Sequence, residues 1–151
     1  MTYRLRPLTR ADIDRVAELE PVLFGPDDWS AGIYRTELAQ QGRTYLAAVD
    51  DEDRLVAWAG TAAGEETQVM TVGVDPAHRR RGLATRLLGE LVDRARRAGS
   101  RSVVLEVRAD DDGARALYER AGFEAVGIRP RYYQRSGRDA VVMRLGLEPG
   151  K

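Results

Sequence analysis

The chain has 151 residues, 43% of them hydrophobic and 32% charged, and its 24 basic residues balance 24 acidic ones. That length suits one domain, the composition argues against a disordered chain, and zero net charge argues against a general polyanion binder, which carries a basic excess. Without cysteine, and with His78 as the sole histidine, it has no disulfide framework, no thiolate nucleophile and no multi-histidine or cysteine-ligated metal site.

The first residues, MTYRLRPLTRADIDRV, contain no apolar stretch of the signal-peptide kind, and no run is long enough to cross a membrane. A cytoplasmic protein with no membrane association is expected. A strand is predicted over Tyr3–Arg6. Thr9 to Asp12 then form a capping-box pattern, with Asp12 reaching back toward Thr9. Ile13, Val16, Ala17 and Leu19 follow at helical spacing. Ser30 is placed to cap a second short helix running through Leu38 to Gly42. Thr44–Val49 and Leu55–Thr61 read as a hairpin around the acidic turn Asp50–Asp53. Gln68–Val74 is a fourth strand. Leu83–Ala98 is the longest helix, with Leu83, Leu87, Leu88, Leu91, Val92 and Ala95 on one face and Gly99 just beyond its end. Ser102–Val107 is nearly all apolar, as a buried strand would be. A short helix over Ala114–Ala121 precedes two last strands, Phe123–Arg129 and Asp139–Leu145, joined by a Pro/Tyr/Arg/Gly-rich loop. This order implies a mixed α/β sheet of six or seven strands with about four helices, spanning 1–147 as one domain with a short tail over 148–151. Antiparallel hairpins flank a central strand–helix–strand unit.

The sharpest local signal lies at the strand-to-helix join Val72-Gly73-Val74-Asp75-Pro76-Ala77-His78-Arg79-Arg80-Arg81-Gly82-Leu83-Ala84. The first turn of a helix offers unpaired N–H groups and a partial positive charge. Gly82 allows a ligand close to the backbone, and the arginines raise the local potential, so the loop suits a pyrophosphate. It is neither a P-loop nor a GxGxxG loop. His78 reads as a loop residue.

The run VGVDPAHRRRGLATRLL resembles motif A of the GCN5-related N-acetyltransferases, the GNAT family, whose pattern is Q/R-x-x-G-x-G/A. The element order resembles that family's order over nearly the whole chain. The resemblance implies the GNAT acyltransferase fold, acetyl-CoA as co-substrate and no metal. It further implies cofactor binding at Arg79, Arg80, Arg81, Gly82, Leu83 and Ala84, with Val72, Gly73 and Val74 offering backbone groups; Gly73 is a candidate site for a strand bulge. Arg79 stands where glutamine is frequent, and Ala84 where the last glycine is frequent.

The stretch from Leu105-Glu106-Val107-Arg108 through Ala114, Leu117-Tyr118-Glu119 and Gly122-Phe123 resembles the LEVR…A..LYE..GF run of the RimI-type ribosomal-protein alanine N-alpha-acetyltransferases. Trp29-Ser30 with Glu37-Leu38, Arg129-Pro130-Arg131-Tyr132-Tyr133 and Asp139-Ala140 with Met143 resemble further stretches of that group. A partner is implied accordingly: a peptide or protein N-terminus, such as that of a small-subunit ribosomal protein, acetylated by a monomer or weak dimer without nucleic acid.

Acyl transfer to an amine needs a base, because a free α-amine has a pKa of about 8 and must be neutral to attack a thioester. It also needs an acid for the leaving thiolate and donors for the oxyanion. Glu106 interrupts an apolar strand, where a carboxylate either faces a cleft or pairs with an arginine such as Arg108 or Arg4. The family resemblance makes it the base. Tyr118 reads on its own as a packed aromatic; the resemblance makes it the acid. Asp111 stands where the RimI pattern carries a CoA-contacting asparagine, and either keeps that contact or caps the following helix. Trp29 is open between substrate contact and core. Tyr132 and Tyr133 wall a peptide groove or decorate a loop. The acidic pairs and triplets at Asp27-Asp28 and Asp110–Asp112 suit a basic peptide or form solvated surface. Alternatives are a GNAT enzyme acting on other N-termini, lysines or small amines, and a non-catalytic acyl-CoA-binding module.

Overall fold

The structure, a computed structural model, describes residues 2–147; the tail expected over 148–151 lies outside the described residues. Seven strands form one sheet: β1 (Arg4–Pro7), β2 (Arg43–Val49), β3 (Leu55–Ala62), β4 (Glu66–Val74), β5 (Ser102–Arg108), β6 (Glu124–Tyr133) and β7 (Arg138–Gly146), in the spatial order β1-β2-β3-β4-β5-β7-β6. Four α-helices accompany it: α1 (Ile13–Phe24), α2 (Ala31–Ala39), α3 (Leu83–Arg97) and α4 (Asp112–Arg120). Every strand pairing is antiparallel except β4 with β5, which α3 connects. The expected central strand–helix–strand unit is therefore present.

The period-two alternation of β2 divides the core. Tyr45, Ala47 and Val49 pack with Val16, Leu19 and Tyr34 of α1 and α2 on one face. Leu46 and Ala48 pack with Leu83, Leu87 and Leu91 of α3 on the other. The next ridge of α3, Leu88, Val92 and Ala95, packs with Val103, Leu105 and Val107 of β5 and with Tyr118 and Phe123. α3 thus bridges both halves of the sheet.

Local chemistry sets the element ends. Asp12 accepts the Thr9 N–H at 2.8 Å and the Thr9 hydroxyl at 3.2 Å, and it also takes Arg6 in a two-pronged ion pair at 2.8 Å. The capping pattern read from Thr9 and Asp12 is therefore present, but it opens a single 3₁₀ turn, Arg10–Asp12, before α1 begins. The Ser30 hydroxyl caps α2 by accepting from Ile33 N–H at 3.3 Å.

One strand is longer than the sequence suggests. β6 extends to Tyr133, so the two tyrosines assigned to a loop close a strand instead. The apolar alternation stops at Arg129, but the backbone pairing does not: Tyr133 still pairs with Arg138.

Candidate active site

β4 and β5 pair only over Glu66–Gln68 against Ser102–Val104. Beyond that point β4 stays with β3 as far as Val74, while β5 stays with β7 as far as Arg108. The two strands splay, and their unpaired inner edges line a cleft. A β-bulge at Met70 accompanies the splay: Thr61 faces Val69 and Gly60 faces Thr71, leaving Met70 extra. The expectation of a bulge in β4 holds, but it does not sit at Gly73. Gly73 is required for another reason, since a Cβ there would meet the buried Trp58 ring at 2.7 Å.

A groove of about 680 Å³ runs from the mouth of the cleft along the start of α3. Arg79, Arg80, Gly82, Leu83 and Ala84 line one wall, and Val72, Gly73 and Val74 the floor. The first helical N–H with a backbone partner is Arg86, which donates to Gly82 O at 3.0 Å. The amides of Leu83, Ala84 and Thr85 therefore precede any intrahelical bond and keep their donors. Gly82 has φ +73° and nothing within 4 Å of a would-be Cβ, and Arg80 also adopts a left-handed conformation, φ +64°. Two left-handed residues within three turn this loop onto the helix end. Free amides, a helix dipole and two exposed arginines on one groove fit a pyrophosphate, and the apolar floor beside them fits a thin alkyl-amide arm. Arg81 is exposed but does not line this groove; its neighbours Arg80 and Gly82 turn inward and it does not. His78 lines the groove edge and contacts Tyr3, whose hydroxyl lies 2.9 Å from its Nδ1.

Asp111 also lines this groove, but its carboxylate accepts Ala114 N–H at 3.0 Å as the N-cap of α4. Of the two roles open to it, capping is the one the geometry displays.

Deeper in, a cavity of about 170 Å³ joins the two arms of the cleft, and both Glu106 and Tyr118 line it. Tyr118 comes from α4, is 8% exposed, and packs edge-on against Phe123 at 5.8 Å. Burial first, and then the Asp111 charge, raise its pKa well above the ordinary tyrosine value. The same ring lines the α3 groove, so it stands where the two spaces meet.

The Glu106 side chain is 12% exposed. Its partners are neither Arg108 nor Arg4. Gln68 Nε2, on the last paired residue of β4, donates to Oε1 at 2.9 Å. The Tyr132 hydroxyl donates to the same oxygen at 3.4 Å, and Arg129 lies 3.6 Å from Oε2. Arg129 also stacks 4.5 Å from the Tyr132 ring centre. Arg108 instead pairs with Asp110 at 3.0 Å, and Arg4 with Asp53 at 2.5 Å.

Tyr132 and Tyr133 are consecutive, and a regular strand would send them to opposite faces. Here both reach Glu106, Tyr133 through its hydroxyl to the backbone carbonyl at 3.4 Å. The pairing explains it: Arg129 faces Ala140 and Tyr133 faces Arg138, so β6 carries two extra residues, with Arg131 at φ +51°. Burial raises the pKa of both tyrosines.

A third space of about 500 Å³ opens on the far side of Glu106, walled by Trp29, Ile33, Gln68, Tyr132, Tyr133 and Arg135. Trp29 is half-buried: it packs 5.4 Å from the Tyr34 ring and also lines this space. Sequence reasoning missed Gln68, Arg129, Thr85 and the buried carboxylate Glu20, and it did not single out Asp27 from its neighbour Asp28. Gln68 breaks an apolar strand as Glu106 does, which was a usable signal.

The acetyltransferase (GNAT) family model matches residues 13–123. The chain belongs to this family. Acetyl-CoA is the co-substrate of GNAT enzymes, and the α3 groove has the donors it needs. The chain is 47% identical to the N-alpha-acetyltransferase RimI of Mycobacterium tuberculosis over 91% of its own length and 88% of the relative's. An uncharacterised Mycobacterium leprae protein is 48% identical over 91% of this chain, but the match spans only 39% of that protein's length. The crystal structure of the Escherichia coli ribosomal-protein-S18-alanine N-acetyltransferase superposes with a TM-score of 0.87, at 27% identity, over 99% of this chain and 97% of the other. This GNAT chain is thus an acyltransferase of the RimI kind in sequence and fold.

Proposed function

We propose that this GNAT domain, residues 1–147, transfers acetyl from acetyl-CoA to the N-terminal α-amine of an acceptor peptide, an alanine of a small-subunit ribosomal protein or a similar sequence, in the cytoplasm. The observation that carries the reading is that Glu106 and Tyr118 line one small cavity with a separate open space on each side of it. Acetyl-CoA occupies the α3 groove, with its pyrophosphate on the amides after Gly82 and beside Arg79 and Arg80. The acceptor enters from the side of Trp29, Tyr132 and Tyr133. Glu106 takes the proton of the α-ammonium, directly or through water, and Gln68 and Arg129 fix its carboxylate for that task. Tyr118 keeps its proton at neutral pH and supplies it toward the departing thiolate. Transfer is direct within a ternary complex, since no cysteine is present to carry the acetyl group.

Thiol release from acetyl-CoA, measured over a panel of peptides beginning with Ala, Ser, Gly or Met, tests the reading. Activity with the alanine peptide is expected, and silence across the panel defeats it. Glu106→Gln is expected to lower kcat by about a hundredfold or more, the usual contribution of a positioned base, with acetyl-CoA affinity mostly kept. Loss of affinity instead assigns Glu106 a structural role.

A further inference from the structure

Four carboxylates line the small cavity between the two arms of the cleft: Glu20, Asp27, Glu106 and Asp111. Three of them are engaged, Asp111 as the N-cap of α4, where it accepts Ala114 N–H at 3.0 Å. Glu20 is 1% exposed, accepts Trp29 N–H at 2.7 Å and takes the Tyr34 hydroxyl. Glu106 holds Gln68, Tyr132 and Arg129 as described. Asp27 differs. It sits in the 3₁₀ turn Gly25–Asp27 between α1 and α2, with its side chain 8% exposed. Its Oδ2 is buried without a hydrogen-bond partner among the described residues. The nearest cation, Arg108 Nη1, is 4.0 Å away, beyond hydrogen-bonding distance, and the Nε and Nη2 of the same guanidinium hold both oxygens of Asp110 at 3.0 Å.

A buried carboxylate without partners costs free energy, so its unmet demand marks a place for a donor. Asp27 shares both the small cavity and the outer space with Glu106, and Phe24, Trp29 and Met70 beside it are apolar. A free α-amine, with a pKa of about 8, reaches this space mainly as an ammonium ion. We infer that the Asp27 carboxylate docks the α-ammonium of the acceptor in the cavity it shares with Glu106, before Glu106 removes the proton. The assignment rests on α-amine transfer as proposed above. It makes Asp27 a substrate-binding residue that selects charged primary amines over neutral chain ends of the same shape.

The test uses the enzyme saturated with CoA, which cannot donate acetyl, titrated with two peptides of one sequence. One begins with alanine; the other carries propionyl in its place and lacks only the amine. The wild type is expected to bind the alanine peptide about tenfold more tightly, as a buried charge contact does. Asp27→Asn, which keeps shape and removes charge, is expected to bring the two affinities to within about threefold of each other. Asp27→Ser serves if the asparagine variant does not fold. A preference that survives the substitution, or no preference in the wild type, overturns the assignment. The two failures separate: a surviving preference alongside peptide acetylation sinks only the Asp27 role, whereas an inactive panel sinks α-amine transfer itself.

Discussion

Burial and the nearby Asp111 charge both disfavour the Tyr118 phenolate and push its pKa further above the ordinary tyrosine value, so the hydroxyl stays protonated well beyond neutral pH. Tyr118→Phe keeps the ring, its packing on Phe123 and the shape of both spaces it lines, and removes only the hydroxyl. The expected outcome in steady-state kinetics is a kcat lower by about a hundredfold, the scale of one general acid, with little change in the acetyl-CoA KM or the melting temperature. An unchanged kcat would leave Tyr118 as a packing residue, which is how it reads without the family resemblance. The contrast with Glu106 shows what single residues disclose. A carboxylate inside an apolar strand advertises itself, because burying it needs a reason. A tyrosine inside an amphipathic helix does not, since half-buried tyrosines are ordinary. The partners of Glu106 were harder still. Gln68 and Arg129 lie 38 and 23 positions from it in the sequence, and only the fork of β4 and β5 and the curl of β6 bring them close. Asp27 was blurred by company: the pair Asp27-Asp28 reads as a contact for a basic peptide or as solvated surface, and the structure separates the two, with Asp28 turned out to Arg135 and Asp27 turned in.

At the scale of elements, the junction of β1 with α1 carries a sharp stability prediction. Burial raises the Asp12 pKa, but the Arg6 hydrogen bonds and the Thr9 N–H outweigh it and the net shift is downward. A lowered carboxylate pKa means stability that is present above the unfolded value and lost as pH falls through the folded one. Asp12→Asn is therefore expected to cost about 2 kcal/mol near neutral pH, the sum of a helix cap and a charged hydrogen bond. In denaturant titrations, the gap to the wild type should narrow as pH falls below the model-peptide value of 3.8. A gap that is constant with pH would show that the carboxylate charge contributes nothing there. This junction was legible because capping is local: Thr9 and Asp12 are three residues apart. The helices were legible for the same reason, and the leucine stripe of α3 buries as its spacing requires. What local patterns do not encode is where pairing stops. Nothing in Glu66–Val74 or Ser102–Arg108 announces that the two strands part after Gln68, or that β4 bulges at Met70. β6 is the same case. Its apolar alternation fails at Arg129, while its two extra residues turn Tyr132 and Tyr133 together onto Glu106.

For the whole molecule, the balance of 24 charges against 24 conceals a division of labour. Arg79 and Arg80 flank the helix end that suits a pyrophosphate, and four carboxylates gather around the small cavity at the fork of β4 and β5. The parting of two parallel strands opens space on both sides of Glu106, so one topological feature serves both halves of the proposed transfer. The proposed acceptor for this geometry is an N-terminal α-amine. The most direct test is mass-spectrometric location of the acetyl group on an alanine-initiated peptide that also contains an internal lysine, after reaction with acetyl-CoA. Acetyl is expected on the α-nitrogen, with the lysine side chain unmodified. Acetyl on the lysine, or on neither amine, would rule out selective α-amine transfer.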